Sequence, residues 1–163
     1  MQKIGWIGVG IMGKAMVRNL MKAGYQLHIY ARHPEKVADV VSEGAVFHDS
    51  IADCVKASDV VITMVGFPKD VEEVYFTPGA ILDNAAKDTL LIDMTTTSPT
   101  LAKRIAEEGA QRGLWVLDAP VTGGDTGAKA GTLSILVGGQ RADFDTALPI
   151  FQAMGKTITY FGP

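Results

Sequence analysis

Short runs of apolar and β-branched residues alternate with longer segments of helical period along the whole chain. Parallel strands need helical crossovers between them, and strands buried on both faces are apolar throughout. Because such crossovers are right-handed, the alternation predicts an α/β fold with a doubly wound, mostly parallel sheet. The predicted strands are Lys3–Ile7, Gln26–Tyr30, Val60–Val65, Thr89–Asp93, Trp115–Asp118, Leu133–Val137 and Thr157–Phe161, and the predicted helices are Met12–Lys22, Glu35–Ser42, Ile51–Ala57, Val71–Tyr75, Pro99–Gln111 and Ala142–Met154.

Composition narrows the class of protein. The chain has 163 residues, 47% of them hydrophobic, which predicts one domain over residues 1–163. A net charge of −3 without a basic run argues against nucleic acid or a membrane surface as the main partner. The single cysteine, Cys54, is predicted to be a core or half-buried thiol, and we expect a cytoplasmic protein with no metal site.

The first predicted strand runs directly into a glycine cluster. Gly8, Gly10 and Gly13 form the pattern G-x-G-x-x-G between that strand and the following helix. In this setting the first glycine permits a tight turn, the second lets a pyrophosphate approach the backbone, and the third brings the helix close to the strand. The helix N-terminus offers free N–H groups to the phosphates. The alternative is a glycine-rich turn that binds nothing.

The end of the second predicted strand bears on the choice of dinucleotide. Where an NAD-binding domain commonly has an acidic residue for the ribose 2′-hydroxyl, this chain has Ala31 and then Arg32. An arginine can pair with a 2′-phosphate through charge-assisted hydrogen bonds, so NADP is favoured over NAD. His33 and Lys36 either assist or are solvated charges. His28 is expected to be a hydrogen-bonded residue of the sheet.

Later strands also end in residues suited to a ligand crevice. Val65 and Gly66 can pass close to an adenosine ribose, and Thr95 and Thr96 stand where a nicotinamide ribose would lie. Ligands of open α/β sheets collect at these carboxyl ends. The alternative for such threonines is helix capping without ligand contact.

A helix start is also indicated nearby. Thr97 or Ser98 is predicted to be the N-cap of the helix that begins at Pro99, because proline is favoured at the first helical position.

The segment DAPVTGGDTGAKAGT, residues 118–132, has the composition of a loop that holds a ligand. Tandem glycines allow close backbone approach, and threonines supply hydroxyl groups. Its ionisable side chains, Asp118, Asp125 and Lys129, form no obvious acid–base pair. The alternative is a loop that only turns the chain.

Together these motifs resemble the β-hydroxyacid dehydrogenase family, which includes 3-hydroxyisobutyrate dehydrogenase and tartronate semialdehyde reductase. Four segments carry the resemblance in order: GWIGVGIMGKAMVRNL, YARHPEK, IDMTTTSP and DAPVTGGDTGAKAGTLSILVGG. The resemblance covers essentially the whole chain. It implies a Rossmann fold and hydride transfer between NADP(H) and a small β-hydroxy acid or semialdehyde.

Site residues follow from the same resemblance. The hydroxyl of Thr122 and the backbone amides after it would hold a substrate carboxylate. Thr122 stands where the family usually has serine, and Ala31 stands where it often has Asn or Asp. The implied cofactor-binding residues are Gly8, Val9, Gly10, Ile11, Met12, Gly13, Arg32, Val65, Gly66 and Thr96, and the implied substrate-binding residues are Thr122, Gly123 and Gly124.

The resemblance places the general acid beyond this chain. In the family a lysine, with an asparagine nearby, lies on a helix shortly after the strand that here ends in YFGP. We therefore expect no catalytic residue in this chain, a helical domain after Pro163, and no turnover by residues 1–163 alone. The full-length protein is expected to form a homo-oligomer.

Three alternatives stay open at this point. A 6-phosphogluconate dehydrogenase-like enzyme would need more cations for its phosphorylated substrate than Lys129 supplies. An imine reductase-like enzyme shares the architecture. A stand-alone NADP-binding sensor or regulatory module would not need the ligand-holding segment.

Overall fold

The computed structural model describes residues 2–96 and 98–163. Its nine strands join in one sheet. Eight α-helices and a 3₁₀ turn at Pro34–Lys36 connect them. The strands are β1 (Lys3–Ile7), β2 (Gln26–Tyr30), β3 (Val46–Phe47), β4 (Val60–Thr63), β5 (Leu90–Asp93), β6 (Trp115–Asp118), β7 (Val121–Thr122), β8 (Leu133–Gly139) and β9 (Gly155–Gly162). The helices are α1 (Ile11–Lys22), α2 (Ala38–Ser42), α3 (Ile51–Lys56), α4 (Pro68–Phe76), α5 (Ile81–Asn84), α6 (Pro99–Gln111), α7 (Gly124–Ala130) and α8 (Arg141–Met154).

The order of the strands confirms the predicted doubly wound, mostly parallel sheet. It runs β3-β2-β1-β4-β5-β6, all parallel, and the chain reverses direction along the sheet between β3 and β4. At the far edge β8 is antiparallel to β6 and β7 and parallel to β9. This is the arrangement of the Rossmann fold, in which the crevice lies where the winding reverses.

Side chains that alternate along the strands build two apolar layers. Ile4 and Trp6 of β1 point to the side covered by α1, α2, α7 and α8, whereas Ile7 points to the side covered by α3, α4, α5 and α6. Leu90 and Ile92 of β5 and the intervening Leu91 divide in the same way. The central strands are therefore apolar on both faces, which explains their nearly continuous hydrophobic runs.

One predicted helix is interrupted in the structure. Residues 35–42 do not form a single helix: the 3₁₀ turn Pro34–Lys36 and α2 are separated by Val37, whose φ of −116° and ψ of 9° are not helical. Val37 is fully buried in the core. Anchoring this β-branched side chain in the core breaks the helix that the sequence pattern predicts.

Four short elements were not predicted: β3, β7, α5 and α7. The two strands have two residues each, and α5 has four. Helix α7 has the sequence GDTGAKA, and glycine disfavours helix formation. Tertiary packing therefore stabilises these elements, because their local sequence signals are weak.

The carboxyl ends of four neighbouring strands are held level by backbone hydrogen bonds that continue past the strands. The Met64 N–H donates to the backbone carbonyl of Ile7 at 2.9 Å. In the same way, the Met94 N–H donates to the backbone carbonyl of Thr63 at 2.8 Å, and the Ala119 N–H donates to that of Asp93 at 2.8 Å. The turns that follow β1, β4, β5 and β6 consequently emerge along one edge of the sheet.

Gly8 supports a prediction on stability. It has a φ of +101°, and a Cβ atom there would collide with the Met64 carbonyl group. Gly24 has a similar φ of +98°, but a Cβ atom there would have no neighbour within 4 Å. We expect G8A to lower the free energy of unfolding by about 3 kcal/mol or more, and G24A by about 1 kcal/mol, in urea denaturation. Equal losses would show that the approach of β1 to Met64 is not tight.

Candidate functional site

A cavity of about 340 Å³ opens at the carboxyl ends of β1, β2 and β4. A second cavity of about 530 Å³ adjoins it and shares Val9, Gly10 and Lys36 with it. Their combined extent suits a ligand larger than a single small metabolite. The first cavity brings together six of the predicted cofactor-binding residues, Gly8, Val9, Gly10, Arg32, Val65 and Gly66, and the second adds Ile11.

The glycine cluster has the geometry that its spacing predicts. A Cβ atom at Gly13 would lie 2.8 Å from the Gly8 carbonyl oxygen, so α1 can lie close to β1 only with glycine there. A Cβ atom at Gly10 would have no neighbour within 4 Å. The backbone at Gly10 therefore faces open space in both cavities, where a ligand can approach it.

The N-terminus of α1 fits an anion. Its N-cap residue, Gly10, supplies no side-chain hydrogen bond, and the first turn contains no acidic residue. The first N–H groups of a helix have no acceptor within the helix, and the helix dipole adds a partial positive charge. This donor set, with the open cradle at Gly10, fits the pyrophosphate of a dinucleotide.

Basic side chains cluster beside the end of β2. Arg32, His33 and Lys36 line the first cavity, and Ala31 supplies no carboxylate. The carboxylate of Asp70 also lines it, but its Oδ2 accepts a hydrogen bond from the Phe67 N–H at 3.1 Å. The Arg32 guanidinium is exposed and lies 3.7 Å from Glu73 Oε2. Arg32 is therefore held loosely and can turn toward a phosphate in the cavity.

The first two of the three threonines after β5 differ in their surroundings. Thr95 is buried, and its Oγ1 accepts a hydrogen bond from the Val65 N–H at 3.0 Å, so the prediction that it faces a ribose is wrong. Thr96 is exposed and lines neither of the two cavities. Ser98 caps α6, because its hydroxyl accepts from the Leu101 N–H at 3.1 Å. Thr97 lies outside the described residues.

The segment at residues 118–132 is not the simple loop that its composition predicts. Thr122 ends β7, which pairs with β8, and Gly124 begins α7. Between them Gly123 has a φ of +138°, a conformation that favours glycine. Asn19 of α1 fixes α7 by donating a hydrogen bond to the Ala128 carbonyl at 2.8 Å. Packing on α1 and this hydrogen bond explain why a glycine-rich segment is helical.

The predicted substrate-binding residues lie together but apart from the two cavities. Thr122, Gly123 and Gly124 are all exposed and consecutive at the start of α7. They follow β6, whereas the cavities lie at β1, β2 and β4. Because β5 separates β4 from β6, the residues after β5, including Thr96, lie between the two regions.

A pair of aspartates at this edge, one buried and one half-buried, was not predicted. Asp93 and Asp118 are register partners at the ends of β5 and β6. Burial raises the pKa of Asp93, and burial together with the Asp93 charge raises the pKa of Asp118 to about 6. The only sequence signal is an aspartate at the end of each apolar strand.

Cys54 and His28 have potentially reactive side chains, but both have structural rather than catalytic roles. Cys54 is fully buried, which confirms the core thiol, and burial raises its pKa to about 12. His28 lies in the sheet with hydrogen bonds of 2.8 Å to His48 and 3.1 Å to Gln26, as expected. Burial and the nearby His48 lower the pKa of His28.

The described residues contain no group of three or more His, Cys, Asp or Glu side chains placed to hold a metal ion. No helix within residues 2–96 and 98–163 has the length and apolarity needed to cross a membrane.

Comparison with known proteins identifies similar sequences over nearly the whole chain. The family described as "NAD binding domain of 6-phosphogluconate dehydrogenase" matches residues 3–162. An uncharacterized oxidoreductase, YkwC of Bacillus subtilis, is 49% identical over 98% of this chain and 56% of its own length. The 2-hydroxy-3-oxopropionate reductase of Escherichia coli is 43% identical (98% and 54%), and the NAD-dependent L-serine dehydrogenase of Pseudomonas aeruginosa is 41% identical (100% and 55%). The chain thus spans about half the length of these relatives.

Solved structures of dehydrogenases and related proteins are also similar to this chain. The 3-hydroxyisobutyrate dehydrogenase of Mycobacterium tuberculosis, solved with L-serine, superposes with a TM-score of 0.93 at 33% identity, over 99% of this chain and 55% of that one. The structure described as "Psf3 in complex with NADP+ and 2-OPP" has a TM-score of 0.94 at 29% identity, over 98% and 56%. Both NAD and NADP therefore occur among the named relatives.

Gly10 allows ligand binding to be tested apart from folding. Its φ of −88° and ψ of −163° suit alanine, and a Cβ atom there meets nothing. We expect G10A to leave the free energy of unfolding unchanged or to raise it by about 0.5 kcal/mol. The same methyl group would occupy the approach of the pyrophosphate and weaken dinucleotide binding by about tenfold or more in calorimetric titration. Unchanged affinity in a stable G10A variant would argue against a pyrophosphate at this turn.

Proposed function

Because the chain belongs to the family described as "NAD binding domain of 6-phosphogluconate dehydrogenase", we propose that it binds NADP(H) as part of a β-hydroxyacid dehydrogenase or semialdehyde reductase. The substrate class is a small β-hydroxy acid and its semialdehyde. The observation that carries the proposal is the open glycine turn at the N-terminus of α1, which leads into a cavity lined by Arg32.

Backbone groups of this chain would hold the dinucleotide. The turn from Gly8 to Gly13 and the N-terminus of α1 bind the pyrophosphate. Val65 and Gly66 would lie along the adenosine, and Thr96 would contact the nicotinamide ribose. The bound cofactor supplies the hydride for reduction of an aldehyde carbon or accepts it from a hydroxy acid.

NADP is favoured over NAD by the residues at the end of β2. Arg32 can donate charge-assisted hydrogen bonds to a 2′-phosphate, and Lys36 adds a second cation at the same cavity wall. Ala31 offers no carboxylate to accept from a 2′-hydroxyl. Glu73 keeps Arg32 near the cavity when no phosphate is bound.

A carboxylate group of the substrate would bind at the turn between β7 and α7. The Thr122 hydroxyl and the N–H groups of Gly123 and Gly124 are exposed there. A turn with consecutive N–H groups can form a concave site for an anion. The extra methyl group of Thr122, compared with serine, would narrow this site.

The proton donor is proposed to lie outside this chain. The lysines of the second cavity, Lys14 and Lys36, lie near the phosphate end, and Lys14 Nζ is 3.2 Å from Asp39. We propose that a lysine of a helical domain after residue 163 protonates the alkoxide as it forms. The same domain would complete the substrate pocket, exclude water and form the contacts of a homo-oligomer.

The relatives favour this function over the alternatives. The relatives with 33–43% identity cited above are named as dehydrogenases or reductases of small hydroxy acids and serine, whereas the imine reductases among the similar structures are only 19–21% identical and share the fold alone. A cytoplasmic location is also proposed, because the one cysteine is a buried thiol that needs no oxidising compartment.

Arg32 provides a test of cofactor choice. We expect R32A to weaken NADPH binding about tenfold or more and NADH binding less than about threefold, because only NADPH carries the 2′-phosphate. R104A is the matched control, since Arg104 is an exposed arginine on α6 paired with Glu72 at 3.1 Å. Both affinities can be measured by fluorescence titration. Equal losses for the two nucleotides in R32A would refute the role of Arg32 in 2′-phosphate recognition.

A second test concerns the proton donor. We expect residues 1–163 to bind NADPH yet to reduce neither tartronate semialdehyde nor methylmalonate semialdehyde at a detectable rate, followed by absorbance at 340 nm. A chain extended by a helical domain from the same gene should restore turnover. Robust reduction by residues 1–163 alone would contradict a proton donor beyond residue 163.

A further inference from the structure

Two aspartates occupy neighbouring positions where β5 and β6 end. Asp93 and Asp118 are 25 positions apart in the chain but are direct partners in the parallel register. Alternation along the strands turns both side chains toward α4 and α6, on the side to which Leu91 and Val116 also point. Asp93 is 3% exposed, and Asp118 is half-buried.

Only some carboxylate oxygens of Asp93 and Asp118 have hydrogen-bond partners. Asp93 Oδ1 accepts hydrogen bonds from the Thr63 hydroxyl at 2.9 Å and from the Thr95 N–H at 3.1 Å. Thr63 in turn accepts from the Tyr75 hydroxyl at 2.8 Å. Asp93 Oδ2 and Asp118 Oδ1 are buried without a partner among the described residues. Two ionised carboxylates with unpaired buried oxygens on adjacent strands would be strongly destabilising.

We propose that Asp93 and Asp118 share one proton in a carboxyl–carboxylate hydrogen bond between Asp93 Oδ2 and Asp118 Oδ1, and that this bond positions the turns of the cofactor and substrate sites. A single proton satisfies both unpaired oxygens and leaves one negative charge, which Thr63 and Thr95 stabilise at Asp93 Oδ1.

Among the residues that the structure describes, no other neighbouring side chain compensates the negative charge of the two aspartates. From α4 the facing titratable group is Tyr75, whose pKa is raised well above its usual value by burial and by the two aspartates. From α6 the buried side chains are Leu101 and Ile105. The charged groups Arg104 and Glu72 of these helices pair with each other at the exposed surface. The raised pKa of Asp118, about 6, agrees with a proton that is retained up to about pH 6 and released above it.

The pair is connected to both sites through short hydrogen bonds. The Thr95 N–H donates to Asp93, and the Thr95 hydroxyl receives the Val65 N–H, which fixes the turn proposed to contact the adenosine. The Ala119 N–H donates to the Asp93 carbonyl at 2.8 Å, and Ala119 leads to Thr122. Asp93 and Asp118 are therefore positioning residues, and this part of the inference rests on the proposed function.

The sign of the pH dependence follows from the direction of the shift. In the unfolded chain both aspartates are ionised above about pH 4, whereas the folded pair keeps a proton to about pH 6. The folded state thus binds more protons in this window, so stability from the pair is present at low pH and is lost as pH rises through 6. The released proton goes to water, and the two charges then repel each other.

The direct experiment is a ¹³Cγ titration of aspartate side chains by NMR on the wild-type chain. We expect two aspartates to titrate as a coupled pair, one of them near pH 6 or above. Two aspartates at these positions that both titrate near pH 4 would overturn the proposal. This measurement needs no variant and no ligand.

Thermal unfolding from pH 5 to pH 8 gives a second, independent readout. D118N carries an amide that can donate to Asp93 at every pH, and D88N is the matched control at the exposed, opposite end of β5. We expect the melting temperature of D118N minus that of wild type to rise by about 4 °C between pH 5 and pH 8. The D88N difference should stay flat. A flat D118N difference would refute the shared proton.

The positioning role is tested by NADP⁺ affinity of D118N relative to wild type, measured at the same pH so that titration of the ligand cancels. We expect a ratio near one at pH 5 and about fivefold tighter binding by D118N at pH 8. A constant ratio, with the proton confirmed by NMR, would overturn the link to the site. If no variant binds NADP⁺ at any pH, the proposed function fails, and the positioning role fails with it, whereas the NMR and unfolding data still decide the shared proton.

Discussion

Parallel pairing in register, from β2 through β1 and β4 to β5 and β6, is the constraint on which the rest of the structure depends. It brings four turns that are distant in sequence onto one edge of the sheet, and the hydrogen bonds of Met64, Met94 and Ala119 extend that alignment beyond the strands. Once the edge is level, Gly8 and Gly13 let the first turn and α1 close against it. The cavities are a consequence of this alignment rather than of any one loop.

Charge is distributed along this edge in a definite order. The side at β1 and β2 is open, with the N-terminus of α1 and Arg32 facing the cavities, whose lining also includes the acidic residues Glu35, Asp39 and Asp70. The side at β5 and β6 carries the carboxylates of Asp93, which is buried, and of Asp118, which is half-buried with its Oδ1 atom enclosed. In the proposed site an anionic ligand meets the N–H groups and Arg32 at the surface, and the two aspartates would act on it through the backbone turns that they support.

Periodicity and glycine spacing were sufficient to predict the central sheet and the glycine turn after β1. Strands β1, β2 and β6 and helix α6 have the predicted bounds, because short runs rich in apolar and β-branched residues and the Ser98–Pro99 cap are clear local signals. Helix α7 could not be predicted, since its stability comes from Asn19 and the packing against α1 rather than from GDTGAKA. The carboxylate pair was equally inaccessible, because nothing local indicates that residues 93 and 118 become register partners. The prediction that Thr95 faces a ribose was wrong for the same reason. Its hydroxyl group accepts a hydrogen bond from the N–H group of Val65, which lies thirty residues earlier in the chain.

The central claim is that this chain binds a dinucleotide across the turns after β1, β2, β4 and β5. The most direct measurement is a ¹H–¹⁵N NMR titration of residues 1–163 with NADPH. We expect the largest shift changes at Gly8 to Gly13, Arg32, Val65, Gly66 and Thr96, with saturation at a single site. Saturable shifts confined to other surfaces, such as β8 and β9, or no shifts at millimolar NADPH, would contradict the claim.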